Sequence, residues 1–237
     1  MARPKSNSSK IAFNYIRGKI NNYDIAPGET VSDFAISEEL DMSRTPVREA
    51  IQQLMQYNIV ERKQNNFSVK PITNEDISEI FEVRNAIECQ AASRIVDNGG
   101  LTDSQLKWFK NNIKELGEAY ALNDIKALNS IDSKFHERIA EFSGNSRLLR
   151  ISHEMNIQTE RLRWLSMLTP KRFETAGKEH EEILDAICKG NKKEAVNAIM
   201  GHLKNSVNNY RIVTSDANWE DCIISLKNAF LANSKQK

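Results

Sequence analysis

From about Thr73 to the end of the chain, apolar residues recur every three or four positions and never alternate. A period near 3.6 builds helices, and strands need a period of two, so this region can only be helical. "TNEDISEIFEVRNAIECQAASRIV" opens on capping residues and carries Ile77, Ile80, Phe81, Ile87 and Ala91 at helical spacing. "NGG" stops it, and "TDSQ" at 102–105 is a capping box before a helix through Leu122. Further helices are expected at about 124–143, 146–168, 172–189 and 192–213, with a last amphipathic piece at about 217–231. With no βαβ alternation and no repeat, residues 73–237 predict an all-α antiparallel bundle.

The first seventy or so residues read differently. "SSKIAFNYIRGKI" places Ile11, Tyr15, Ile16 and Ile20 on one stripe after capping serines. "APGE" is a turn, and "SDFAISEEL" is a short helix with Ser32 as N-cap. After the tight break at "DM" comes "SRTPVREAI", where Val47, Ala50, Ile51 and Leu54 fall at i, i+3, i+4 and i+7. Pro46 is tolerated in the first turn of that helix. "IVERK" and "FSVKP", separated by "QNN", read as a hairpin whose turn an asparagine can make. Helix, short helix, tight turn, helix and hairpin predict a winged helix-turn-helix over residues 1–72.

That pattern decides the meaning of two arginines. If the apolar stripe packs inward, Arg44, Thr45, Arg48 and Gln52 face outward, with Arg44 and Arg48 one above the other. The start of a recognition helix presents such groups to base edges and phosphates of double-stranded operator DNA. Asn66, in the hairpin, joins the expected DNA-contacting set. The formal net charge of the 237-residue chain is only +1, so any surface for nucleic acid must be local. Three scattered cysteines without a CxxC pattern suggest reduced thiols and a cytoplasmic protein. No secretion signal and no membrane span are expected. The short "KPIT" join suggests coupled domains rather than freely tethered ones.

The chain has four histidines, and three of them form a pattern with one aspartate. Asp132 and His136 stand four apart on one expected helix, His180 opens "HEEILDAI" on another, and His202 lies in "MGHL" on the next. A lone helical histidine is usually a surface or core residue. Three imidazoles and a carboxylate aimed into one bundle interior suit a divalent transition metal: zinc first, with nickel and manganese compatible. His153 has no such partner and reads as surface or pocket wall.

The sequence resembles the GntR family of bacterial transcription regulators, in the FadR subfamily with a helical, metal-binding FCD domain. "SRTPVREAI" followed by a leucine matches the family's recognition-helix signature. The Asp-to-His pair, "EHEEILDAI" and "AIMGHL" match the metal-binding form of the C-terminal domain. The resemblance implies that Asp132, His136, His180 and His202 are ligands. It implies a homodimer reading a short palindrome, and a small-molecule effector that is often a carboxylic acid. "FEVRNAIE" matches the helix where an arginine faces the effector, which falls on Arg84. The chain departs from the family at the wing tip, where asparagines replace a glycine. It also departs on the helix before the recognition helix, where Phe34 and Ala35 occupy a region in which the family sometimes has arginine. The competing reading is a metal-dependent hydrolase or lyase using the Asp/His site. No general base accompanies those ligands in sequence.

Overall fold

The computed structural model describes residues 7–165 and 171–215. The piece expected at 217–231, the last turn of the helix expected to reach 168, and Cys222 lie outside the described residues. The chain divides into two compact units, Met1–Thr73 and Asn74–Lys237.

The first unit runs α1 (Asn7–Asn21), α2 (Asp33–Glu39), α3 (Arg44–Gln56), β1 (Val60–Lys63) and β2 (Asn66–Val69). Ser32 caps α2 as expected, its hydroxyl accepting from the Ala35 amide at 3.2 Å. Asp41 makes the break before α3 with a left-handed backbone, φ 47°. Ser43 precedes α3, so Pro46 is its third residue, where a missing N–H costs no helical bond. Val47, Ala50, Ile51 and Leu54 are completely buried and hold α3 to the core. The stripe on α1 differs from expectation: Ala12, Phe13, Ile16 and Ile20 are buried, while Ile11 is exposed. Phe13 takes the inward position and meets Tyr57 edge-on at 6.0 Å.

In the hairpin, Val60 pairs with Val69 and Lys63 with Asn66, leaving a two-residue turn. Gln64, not an asparagine, takes the left-handed conformation there, φ 56°. The sequence did not announce a third strand-like segment. Thr30 bridges Ser68, and the amides of Gly28 and Val31 donate to the carbonyls of Val69 and Phe67, both at 2.8 Å. This pins the hairpin to the chain that leads into α2.

The second unit contains α4 (Asn74–Asp97), α5 (Asp103–Ala121), α6 (Ile125–Phe142), α7 (Ser146–Leu165), α8 (Lys171–Cys188) and α9 (Lys192–Ser215). The capping box before α5 is complete: Thr102 Oγ1 accepts from the Gln105 amide, and Gln105 Oε1 accepts from the Thr102 amide. Phe109 sits edge-on to both Phe135 and Phe142, at 5.2 and 5.5 Å, and fastens α5 to α6. The long helix α4 packs against α6, α7, α8 and α9. Its buried stripe is Ile77, Phe81, Arg84, Glu88, Ala91 and Ile95, with Ile80 and Ile87 only half-buried. Two charged residues therefore lie in phase with the apolar face. Among the described residues no helix is long and apolar enough to cross a membrane.

Candidate functional site

The first candidate surface is the exposed face of α3. Arg44, Thr45, Arg48 and Gln52 are all exposed, as is Asn66 on the hairpin. Ser43 makes no capping hydrogen bond to α3, so the first amides of that helix are not covered by its side chain. Asp33, at the start of α2, holds both arginines. Arg44 Nη2 donates to its two oxygens at 2.8 and 2.9 Å, and Arg48 Nε donates to Oδ2. The hydrogen bonds of Arg44 and then Arg48 outweigh partial burial and keep the Asp33 carboxyl below its ordinary pKa.

Asp33 thus lowers the positive potential of this face. Asp33→Asn should tighten binding to random-sequence duplex and steepen its log–log salt slope by about one, the effect of one more net charge meeting phosphate. A fluorescence-anisotropy salt titration measures this.

The second candidate site lies inside the helical unit. Asp132 and His136 project from α6, His180 from α8 and His202 from α9, and one donor atom from each lies within 4.8 Å of the others. The three histidines are buried. The His180 ring stacks flat on Phe135 at 3.7 Å, which fixes its plane. Neither ring nitrogen of His180 has a hydrogen-bond partner, and Nε2 lies 3.6 Å from Asp132 Oδ1.

The other two imidazoles are oriented by carboxylates. His136 Nδ1 meets Glu88 Oε2 at 2.7 Å, and His202 Nδ1 meets Glu179 Oε2 at 2.7 Å. An ionised carboxylate only accepts, so each Nδ1 donates, and in the neutral ring, the form that binds a metal, each Nε2 keeps its lone pair. Those two Nε2 atoms face each other at 3.2 Å. Two converging lone pairs, an unpartnered third imidazole and an adjacent carboxylate fit a divalent cation, which would accept from all of them.

The electrostatics agree. Burial pushes the His136 pKa down to about 4, and burial also lowers His180, so both rings are neutral at neutral pH. Burial alone would raise Asp132, but the neighbouring His136, Arg163 and His180 hold its carboxyl well below the usual range. Burial likewise opposes ionisation of Glu88, and Arg84 and His136 override it.

A small cavity beside the cluster is lined by Arg84, Arg163, Arg172, Ser206 and Tyr210 together with Asp132, His136 and His202. Each arginine has its own carboxylate. Arg84 Nε donates to Glu88 at 2.8 Å, Arg163 Nε to Asp132 at 2.9 Å, and Arg172 Nη1 lies 2.9 Å from Glu179. Arg84 Nη2 and Arg163 Nη1 are buried without a hydrogen-bond partner. Arg84 is therefore an interior residue, also stacked over Phe81 at 4.8 Å. His153 stands apart from the cluster, exposed and paired with Glu137.

Sequence reasoning brought the four ligand candidates and Arg84 together. It missed Glu88, Glu179, Arg163 and Arg172. Two signals were available. Glu88 falls in register with Ile77, Phe81 and Ala91, an odd place for a carboxylate. On α7, Ser152, Asn156, Thr159 and Arg163 repeat at helical spacing and form a buried polar stripe.

Comparison with known proteins agrees with both halves of the chain. The family model "Bacterial regulatory proteins, gntR family" matches residues 9–66, and the FCD domain model matches residues 79–205. The HTH-type transcriptional regulator YdhC of Bacillus subtilis is 25% identical over 207 residues, covering 86% of this chain and 91% of its own. LutR, a transcriptional regulator of the same organism, is 27% identical over 209 residues, covering 78% and 93%. Among solved structures, Escherichia coli McbR/YncC aligns with a TM-score of 0.75 at 18% identity, over 90% of this chain and all of that one. A GntR regulator structure from Rhodococcus sp. RHA1 aligns with a TM-score of 0.71 at 22% identity, over 90% of this chain. With a winged helix-turn-helix ahead of an FCD domain, the chain belongs to the GntR family of bacterial transcription regulators.

Proposed function

We infer that this DNA-binding transcription regulator holds a divalent metal through Asp132, His136, His180 and His202, and that the metal helps to bind a small carboxylic acid as effector. The observation that carries the metal reading is the pair of Nε2 atoms facing each other at 3.2 Å beside the unpartnered His180 ring. Zinc suits three imidazoles and one carboxylate, with nickel and manganese as alternatives. The protein acts as a FadR-type homodimer on a palindromic operator, with Arg44, Thr45, Arg48, Gln52 and Asn66 facing the DNA. The hydrolase or lyase reading has no support, because the relatives are transcription regulators.

The charge that favours an anionic effector is that of the metal. Arg84, Arg163 and Arg172 are matched by Glu88, Asp132 and Glu179, and His136 and His180 are neutral. A divalent cation is then the uncompensated charge beside the cavity, and a carboxylate balances it. The partnerless N–H groups of Arg84 and Arg163 add directional donors for its oxygens. The cavity holds only about 20 Å³, room for a single water-sized group. A larger acid enters by moving side chains, and it can shift the regulator only by its different affinity for two arrangements.

The expected result is that hydroxy-, keto- or dicarboxylic acids raise the melting temperature of zinc-loaded protein and lose that effect after metal removal by EDTA. Arg84→Ala should weaken the effective acid at least tenfold. Equal binding with and without metal, or a neutral or cationic effector, would sink the reading.

A further inference from the structure

The geometry points to Glu88 and Glu179 as positioning residues that choose the tautomer of two metal-facing histidines and are themselves held by arginines of the cavity. This rests on the metal site proposed above. Glu88 uses its two oxygens for two tasks. Oε2 accepts from His136 Nδ1 at 2.7 Å, and Oε1 accepts from Arg84 Nε at 2.8 Å. Both contacts are buried, so water does not compete. Glu179 also joins a histidine to an arginine, but through one oxygen. Its Oε2 accepts from His202 Nδ1 at 2.7 Å and lies 2.9 Å from Arg172 Nη1, while Oε1 accepts from Asn205 at 2.8 Å. Arg172 is in turn fastened to Ser206 at 2.9 Å.

Two chains of contacts therefore converge on one point. One runs Arg84, Glu88, His136, and the other runs Arg172, Glu179, His202. Each ends at an Nε2 atom that in the neutral ring holds a lone pair, and the two atoms meet at 3.2 Å. Without the carboxylates, either ring could place its proton on Nε2, where it would block a cation. With them, that tautomer would set an Nδ1 lone pair against a carboxylate, two acceptors with no hydrogen between. A carboxylate that only neutralised a buried arginine would have no need to place a second oxygen on the imidazole.

Glutamine tests the distinction because it keeps the shape of glutamate. In Glu88→Gln, the amide oxygen must stay toward Arg84 Nε, since turning it would set an NH₂ against an N–H. The NH₂ then faces His136 Nδ1 and requires a lone pair there, which moves the ring proton to Nε2. The expected result has two parts. In metal-free protein, ¹⁵N-detected NMR of the histidine rings should show His136 switch from the Nδ1–H to the Nε2–H tautomer. In competition with a zinc chelator, Zn²⁺ affinity should fall about 10–100-fold.

Glu179→Ala should do the same to His202, because the neighbour then left at His202 Nδ1 is the donor Arg172 Nη2, 3.4 Å away, which favours a lone pair there. Because Glu179 is less enclosed than Glu88, that variant keeps the test open if Glu88→Gln fails to fold. Unchanged tautomers in the folded variants would overturn the proposal, whatever happens to zinc. So would a tautomer switch with zinc affinity unchanged. Wild-type protein that binds no zinc, yet shows the tautomer switch in the variants, would contradict the metal reading and leave the positioning role standing.

Discussion

Alanine in place of both His180 and His202 will leave the protein without its metal. Wild type purified without chelators should carry about one divalent ion per chain, and the double variant close to none. Asp132 and His136 alone offer two ligand atoms, too few to compete with a chelating buffer. The stability effect follows from mass action. A metal present at about 1,000 times its dissociation constant adds about 4 kcal/mol to the folded state. For a chain of this size that corresponds to about 8–16 °C in melting temperature. The diagnostic comparison is the response to added zinc rather than the absolute melting point, since truncating two buried rings also costs packing. Added zinc should raise the melting temperature of metal-stripped wild type and leave that of the variant where it was. Retention of the metal by the variant would rule out these two histidines as ligands.

Arg44→Ala and Arg48→Ala should each weaken operator binding by about 1–3 kcal/mol if the side chain reads a base. Stability should move by less than about 0.5 kcal/mol, because both side chains are exposed. The two effects should not add. Both guanidinium groups share Asp33, so removing one changes the charge balance and orientation of the other. An operator selected from random duplexes with wild-type protein supplies the probe. A variant that loses affinity equally for operator and random DNA has lost a phosphate contact instead. Two variants that both bind the operator as wild type does would remove α3 from the reading surface.

The helices of the second unit were legible because their punctuation is chemical. "NGG" and the Thr102–Gln105 capping box mark two of their ends, and the capping box forms in full. The stripe Val47, Ala50, Ile51 and Leu54 was equally plain, because four apolar residues at that spacing have one way to be buried. Short or mixed stripes were harder. On α1, Ile11 and Phe13 compete for the interior, and it is Phe13 that is buried, against Tyr57. The bridge from Thr30 to the hairpin is a backbone pairing that no side-chain pattern announces.

The cluster of Asp132, His136, His180 and His202 was legible because histidines are few and each sits at a definite helical position. Its surroundings were not. Arg163 and Arg172 reach the cavity from two other parts of the chain, and which charges share a space depends on how the helices pack. Asp33 escaped notice for the same reason: 11 residues of chain separate it from Arg44, and only the turn between α2 and α3 brings them together.

Anomalous diffraction at the zinc absorption edge, from crystals of protein loaded with one equivalent of zinc, locates the ion. A single strong peak is expected within about 2.0–2.2 Å of a carboxylate oxygen of Asp132 and a ring nitrogen each of His136, His180 and His202. Zinc bound elsewhere, with no anomalous signal between these four side chains, would contradict the four-ligand site.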